Sequence, residues 1–246
     1  MLGEPGRTNG DINFRLFGIP IRIHPLFWLI AVLLGTNSPG LREILIWVAA
    51  VFISILIHEL GHALVIKAYG FRPWIVLFGM GGLTIHDPAE NYRSKANTTL
   101  GQISISFAGP LAGFLLAAAL VAVLFLAGHR ENVQFVWHLH LMPFWVEFSS
   151  LARLVNDIFF ISVLWGLVNL LPIYPLDGGQ ITREILHYLN PSDGIRQSLI
   201  LSLIIAVLFA AFGLIQWNSI YICLLFGFIA YENFMALQAY SRGGGW

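Results

Sequence analysis

Long apolar runs separated by short polar connections make up most of this chain. Six such runs cover about residues 25–38, 44–69, 100–127, 155–172, 198–214 and 219–238. Except for the first, which is short for a bilayer, each is long enough to cross a membrane as a helix. Helices are favoured because a segment in lipid must satisfy its own backbone polar groups. The pattern therefore predicts an all-α polytopic membrane protein with about six transmembrane helices.

The two longest connections cover residues 70–99 and 128–154. The first contains "RPWIVLFGMGGLTI", in which β-branched and aromatic residues are punctuated by glycines. This predicts a small β-hairpin directly after the second helix. The second contains "FVWHLHLMPFW", which is aromatic enough to lie along the outer membrane interface. Since no tandem repeat or soluble domain is visible, residues 1–246 are predicted to form a single membrane-embedded domain.

Composition and charge agree with this prediction. The chain is 57% hydrophobic and 11% charged, whereas soluble domains carry about 25% charged residues. A net charge of zero and the lack of a basic tract argue against a nucleic-acid partner. Of the 13 lysines and arginines, ten fall on the side of the termini and three, Arg42, Arg130 and Arg153, on the other. The positive-inside rule then places both termini, including residues 1–24, in the cytoplasm.

The second apolar run contains "ILIHELGHAL", residues 55–64, which brings ionisable groups into a predicted span. His58 and His62 are four residues apart, so on a helix they share a face and can reach one ion. Glu59 is placed to accept a proton from a water molecule activated by that ion. Zinc prefers such ligands and keeps a position open in catalytic sites. The alternative, in which these side chains only satisfy one another in a helix bundle, is disfavoured because intramembrane ionisable residues are usually functional.

A third zinc ligand is expected from another part of the chain. Among the aspartates, Asp177 in "NLLPIYPLDGGQI" is the best candidate. The fourth run crosses the membrane in the same direction as the second, and Asp177 lies just past its cytoplasmic end, on the same side as the histidines. His58 lies about 12 residues, or roughly 18 Å, before the end of the second run near Gly70. Both motifs are therefore predicted on the cytoplasmic half of the membrane, in a cavity lined by protein. The alternative is that Asp177 caps a helix starting near Gln180.

The two motifs together resemble the site-2 protease family of intramembrane zinc metalloproteases. The resemblance extends to "GIPIRIHPLFWL", similar to the entry into that family's first helix, to "FGMGGLTI" and to "SFAGPLAGFLLA", and it spans about residues 18–181. It implies three core catalytic helices at 44–69, 100–127 and 155–172, with the other three as accessory helices. It also implies a multi-pass protein of a prokaryotic cell membrane, with the active site opening to the cytoplasm.

The resemblance assigns roles to single residues. It implies that His58, His62 and Asp177 bind one zinc ion per chain and that Glu59 is the general base. Asn169 would hold the substrate backbone or the oxyanion, although a helix-packing amide is the alternative. The strand with Gly79, Gly81 and Gly82 would pair with an unwound substrate, or else form a purely structural hairpin. The implied reaction is hydrolysis of a peptide bond in or near the transmembrane helix of a single-span protein.

Two departures from the family pattern stand out. Gly113 occupies the last position of a G-P-x-x-N segment in which many relatives have asparagine. Gly109 and Gly113 instead have a small-xxx-small spacing suited to close helix packing. The chain also has no room for the PDZ or CBS domain of some relatives, which predicts that substrates are selected without such a domain.

Two rival functions remain open on the sequence. One is another class of membrane zinc protease with the H-E-x-x-H motif, for which Glu184 would be the nearest third ligand. The other is a protein without catalysis, either a metal transporter or a scaffold that binds helices. A transporter is disfavoured because the ionisable cluster occurs in one place only, and an inactive scaffold is disfavoured because Glu59 is present.

Overall fold

The computed structural model describes residues 4–36, 38, 40–91, 94–127 and 150–243. The aromatic stretch expected at the outer interface, and Arg130, lie outside these residues. Among them the structure contains seven helices: α1 (Pro25–Leu34), α2 (Leu41–Ala68), α3 (Thr99–Leu126), α4 (Ser150–Asn169), α5 (Asp177–Leu189), α6 (Gly194–Trp217) and α7 (Ile220–Gly243). Two short 3-10 turns precede α3.

Five of these helices are long and apolar enough to cross a membrane, namely α2, α3, α4, α6 and α7. Helix α1 is apolar but has only ten residues, about 15 Å at 1.5 Å per residue. It is shorter than the predicted 25–38 segment and cannot alone cross a hydrocarbon core of about 30 Å. The mostly helical membrane fold predicted from the sequence is confirmed: five of the described helices are long enough to span a membrane, and α1 and α5 are shorter.

The chain divides into two compact units. The first comprises Leu2–Tyr92 and Ala108–Leu167, and the second Arg93–Phe107 and Val168–Trp246. In the first unit α2 lies at the centre, and its apolar side chains share a core with the sheet, α1 and α4. In the second unit α6 and α7 pack along each other around a core that also includes the fully buried Ile173.

The first unit carries a sheet of four strands, β1 (Ile12–Leu16), β2 (Ile19–Ile23), β3 (Trp74–Phe78) and β4 (Gly81–Ile85), in the order β1-β2-β3-β4. β3 and β4 form the predicted hairpin and pair antiparallel, while β2 pairs parallel with β3. β4 is therefore an edge strand. The helices α1 and α2 form the crossover between the parallel strands β2 and β3.

The β1–β2 hairpin was not expected from the sequence, which assigned residues 18–29 to the entry into the first helix. The strands pair antiparallel from Ile12 opposite Ile23 to Leu16 opposite Ile19. Phe17 and Gly18 form the two-residue turn, with φ of 52° and 77°, as a type I′ turn requires. Ile19, Ile21 and Ile23 alternate into the core. Strand β2 ends at Ile23. The next residue, His24, is the N-cap of α1, and its ring accepts a hydrogen bond from the Leu26 amide.

Candidate metal centre

The metal-binding motif lies in the second half of α2, where apolar neighbours surround it. His58, Glu59 and His62 are only 3%, 5% and 7% exposed. The four-residue spacing puts both imidazoles on one helix face, and their Nε2 atoms lie 3.2 Å apart. One potential ligand atom from each of the three residues lies within 4.8 Å of the others. The structure thus forms a buried group of two imidazoles and one carboxylate that could hold a metal ion.

Open space in front of the imidazole nitrogens is provided by Gly109 on α3. A Cβ atom added at Gly109 would lie 2.2 Å from the Nε2 of His62 and 2.7 Å from the Nε2 of His58. No side chain can occupy that position without moving a ring or a helix. Since these nitrogen atoms converge on a space that a methyl group would fill, and zinc prefers imidazole and carboxylate ligands, the residues fit a zinc ion.

The carboxylate of Glu59 is hydrogen-bonded by a residue of the β3–β4 hairpin. The Thr84 hydroxyl lies 2.7 Å from the Oε2 of Glu59 and 3.1 Å from the Glu59 carbonyl oxygen, so it can donate to either. Gly82 lies on the same face of β4, where a Cβ atom would be 2.3 Å from the Cγ of Glu59. Thr84 therefore orients the carboxylate, and Gly82 leaves room for it. No sequence pattern identifies Thr84 as a site residue, because its contact with Glu59 depends on how β4 packs against α2.

The other two glycines predicted to lie in a substrate-binding strand have structural contacts of their own. Gly81 has a φ of +119°, which L side chains rarely adopt, and its Cα faces the Trp165 ring of α4. Gly79 belongs to the turn between β3 and β4, where a Cβ atom would be 3.3 Å from Ile30 of α1. These contacts fix the hairpin against its neighbours in the first unit. The predicted role in substrate binding stays a prediction.

Close helix contacts and hydroxyl groups surround the metal-binding motif. Gly61 faces the Ala108 carbonyl of α3, where a Cβ atom would be only 2.4 Å away. One turn before His58, the Ser54 hydroxyl donates to the Ile158 carbonyl of α4 at 3.3 Å and accepts from the Ser162 hydroxyl at 3.2 Å. These interhelical hydrogen bonds hold α2 against α4.

The small-xxx-small pair on α3 packs differently from the expectation. Gly113 does face a helix backbone, because a Cβ atom there would be 3.2 Å from the Ser162 carbonyl of α4. Gly109 faces the two imidazoles of α2 instead. Gly113 therefore allows close packing against α4, whereas Gly109 allows close approach to the two histidines of α2. A longer side chain at Gly113 would meet the α4 backbone.

Asp177 and Asn169 belong to the second unit, at the two ends of the α4–α5 connection (residues 170–176). Both side chains are buried. Asp177 is the first residue of α5 and Leu176 is its N-cap. The helix therefore begins three residues before Gln180, and Asp177 does not occupy the capping position considered from the sequence. Glu184 lies about two turns further along the same helix.

The glycines after Asp177 explain the "DGG" sequence. A Cβ atom at Gly178 would lie 2.1 Å from the Leu170 carbonyl oxygen, and one at Gly179 would lie 2.3 Å from the backbone of Ile173 and Tyr174. Only glycine lets the first turn of α5 approach the connection so closely. The backbone of the connection thereby fixes where α5 begins, and with it the position of Asp177.

A buried His-Glu-His group on an apolar helix, among five helices able to cross a membrane, defines a multi-pass membrane protein with a metalloprotease-type centre. Residues 46–212 match the family model of peptidase family M50. Since this is more than half of the chain, the chain belongs to that family. The resemblance to site-2 proteases drawn from the sequence is thereby confirmed.

Individual relatives agree with this assignment. A zinc metalloprotease of Methanocaldococcus jannaschii is 30% identical over 220 residues, which cover 85% of this chain and 55% of that protein. A putative zinc metalloprotease of Synechocystis is 30% identical over 196 residues, covering 73% and 45% of the two chains. The solved structure of the site-2 protease from Methanocaldococcus jannaschii matches with a TM-score of 0.58 and 25% identity, covering 92% of this chain and 95% of that one. The chain spans about half the length of the curated relatives it matches.

Proposed function

We propose that this protein is an intramembrane zinc endopeptidase that hydrolyses a peptide bond in or near a transmembrane helix of another membrane protein. The observation that carries the proposal is the buried group of His58, Glu59 and His62 on an apolar helix. Membership of peptidase family M50 and the zinc metalloproteases among its relatives support the same reaction. The substrate class, a single-span membrane protein, follows from the site-2 protease resemblance.

The proposed reaction divides the work between the metal-binding histidines and Glu59. His58 and His62 would hold zinc, which supplies Lewis-acid chemistry by acidifying water and polarising a carbonyl oxygen. Glu59 accepts a proton from the attacking water and delivers it to the leaving amine. The Thr84 hydroxyl holds the Glu59 carboxylate in one orientation during both transfers, given its 2.7 Å contact with Oε2.

Asp177 is proposed as the third zinc ligand and Asn169 as the residue that holds the substrate backbone or the oxyanion. Both assignments come from matching positions in the family pattern. The burial of both side chains, and the close backbone contacts that fix the start of α5, suit a ligand held in one place. If Glu184 were the ligand instead, the protein would belong mechanistically with other membrane proteases that carry the H-E-x-x-H motif.

The substrate is proposed to bind at the open edge of β4. Among the residues that the structure describes, β4 pairs only with β3, and its Gly82 and Thr84 face the Glu59 carboxylate. An extended segment added beside this strand would be held by backbone hydrogen bonds next to the general base. A transmembrane helix must unwind before it can bind in this way, because an intact helix uses its carbonyl groups internally.

Both termini and the opening of the active site are proposed to face the cytoplasm of a prokaryotic cell. The distribution of lysine and arginine supports this orientation. Lys67, near the end of α2, donates a hydrogen bond to the Phe17 carbonyl at 2.7 Å. The N-terminal hairpin and the end of α2 thus lie on the same side of the first unit.

The decisive experiment measures bound zinc and cleavage of a single-span test protein in detergent, for the wild type and for Glu59→Gln. We expect about one equivalent of zinc in both proteins and cleavage by the wild type only. Cleavage by Glu59→Gln at the wild-type rate would exclude Glu59 as the base. Absence of zinc from folded wild-type protein would overturn the proposal in favour of a scaffold that binds helices.

Two further variants distinguish the possible third ligands. Zinc content is measured for Asp177→Ala and, separately, for Glu184→Gln. We expect the first variant to lose zinc and the second to retain it. The opposite result would exclude Asp177 and assign the third ligand to Glu184.

A further inference from the structure

Two buried polar side chains of the accessory helices hold the backbone of the α4–α5 connection. Ser202 lies on α6 and Asn233 on α7, and both are only 1% exposed. The Tyr174 amide donates to the Ser202 hydroxyl oxygen at 2.9 Å. The Asn233 side-chain amide donates to the Tyr174 carbonyl at 2.5 Å. Both backbone polar groups of one residue are therefore held by side chains from two different helices.

Each of the two side chains is itself fixed. The Asn233 amide also donates to the Ile229 carbonyl of its own helix at 2.8 Å. The Ser202 hydroxyl can donate to the Pro172 carbonyl at 3.5 Å. Because Ser202 and Asn233 are buried, breaking these hydrogen bonds would leave a polar group without a partner, which is costly. Both backbone polar groups of Tyr174 are thus paired with side chains that are themselves hydrogen-bonded.

The position of Tyr174 determines where Asp177 lies. The Ile173 carbonyl accepts a hydrogen bond from the Leu176 amide at 2.8 Å, which fixes the N-cap of α5. Gly179 packs against the backbone of Ile173 and Tyr174 with no room for a Cβ atom. A shift of Tyr174 would therefore be transmitted through rigid backbone contacts to the first turn of α5, where Asp177 lies.

We propose that Ser202 and Asn233 are positioning residues for Asp177, acting through the backbone of Tyr174. This inference rests on the proposed function, because it takes Asp177 to be a zinc ligand. It gives α6 and α7, treated from the sequence as accessory helices, an indirect part in zinc affinity. Residues that orient metal ligands commonly change metal affinity by about 10–100-fold when they are replaced.

The test measures zinc affinity in the full-length protein in detergent, by competition with a chelator, together with the visible spectrum of the cobalt-substituted protein. The variants are Asp177→Ala, Ser202→Ala and Asn233→Ala. Ser198→Ala is the matched control, because Ser198 is a fully buried serine one turn earlier on α6 whose hydroxyl donates to the Ile195 carbonyl of its own helix. Ser202→Thr retains the hydroxyl and tests for rescue.

We expect Asp177→Ala to lose tight zinc binding. Ser202→Ala and Asn233→Ala should weaken it by about tenfold and change the cobalt spectrum, whereas Ser198→Ala and Ser202→Thr should behave as the wild type. If Asp177→Ala loses zinc but Ser202→Ala and Asn233→Ala bind as tightly as Ser198→Ala, the positioning role is excluded and the proposed ligand stands. If Asp177→Ala itself binds zinc normally, the ligand assignment fails, and the positioning role fails with it.

Discussion

At the scale of single residues, one hydroxyl group and one position without a side chain adjoin the candidate metal centre. The Thr84 hydroxyl donates a hydrogen bond to the Glu59 carboxylate from β4, 25 residues further along the chain. Gly109 leaves the space in front of the imidazoles open. Both residues contact side chains of the His-Glu-His motif, so the role of each can be tested by a single substitution.

Replacing Thr84 with valine removes the hydroxyl and retains the branched shape. We expect kcat for a single-span substrate to fall about 10–150-fold, because a hydrogen bond to a charged group contributes about 1.5–3 kcal/mol. Zinc content should be unchanged, since Thr84 contacts Glu59 and not the histidines. Thr84→Ser retains the hydroxyl and is the control. Equal kcat for Thr84→Val and Thr84→Ser would show that the hydroxyl does not act on Glu59.

Replacing Gly109 with alanine adds one methyl group next to the Nε2 atoms of His58 and His62. The new Cβ atom would be 2.2 Å from the Nε2 of His62, so a ring must rotate away. We expect zinc affinity to fall at least tenfold, measured by chelator competition. Gly227→Ala on α7 is the matched control, because no atom lies within 4 Å of its added Cβ. Comparable zinc affinity in both variants would contradict the prediction.

At the scale of elements, the sequence predicted those whose pattern is local and missed those that depend on packing. The i,i+4 spacing of His58 and His62 is complete within α2, and the glycine-punctuated run gave the β3–β4 hairpin. From the sequence, the residues of strand β2 are assigned to the entry into the first helix. Ile19, Ile21 and Ile23 nevertheless alternate as in a half-buried strand. Other contacts join segments that are distant in the sequence, so no local pattern predicts them. Examples are the contact of Thr84 with Glu59 and the contacts of Ser202 and Asn233 with Tyr174.

The N-terminal hairpin is anchored by a carboxylate whose environment predicts a pH dependence. Hydrogen bonding from the Thr8 hydroxyl, at 2.6 Å, and from Arg22, at 2.9 Å, lowers the pKa of Asp11 from 3.8 to about 2. A carboxyl group with a lowered pKa in the folded state stabilises the fold above its ordinary pKa. That contribution is lost as the pH falls through 3.8 toward 2.

We therefore expect the β1–β2 amides to lose protection against hydrogen exchange as the pH is lowered from about 4 to about 2. The measurement is hydrogen exchange by mass spectrometry, expressed as protection factors so that the intrinsic pH dependence cancels. Asp11→Asn serves as the comparison, because its side chain does not titrate. A wild-type profile parallel to that of Asp11→Asn over this range would show that the Asp11 anchor contributes nothing.

At the scale of the whole molecule, charge decides which way the protein crosses the membrane. Exposed basic residues Arg7, Arg15 and Arg72 occur in the N-terminal segment and directly after α2. Lys67 joins these regions through its hydrogen bond to Phe17. In the first unit the hairpin and the end of α2 therefore form one basic side. The opposite end of α2 begins at Leu41, about 40 Å away at 1.5 Å per residue.

Because cytoplasmic segments carry an excess of lysine and arginine, this basic side should face the cytoplasm. The chain has a single cysteine, Cys223, so a Cys223→Ser background allows one cysteine to be placed at a time. Asn13→Cys, on the exposed side of β1, should react with a membrane-impermeant maleimide only after the cells are permeabilised. Leu41→Cys, at a position that is 73% exposed at the start of α2, should react in intact cells. The reverse pattern would place the hairpin and the opening of the proposed active site outside the cell, and the substrate would then have to be cut from that side.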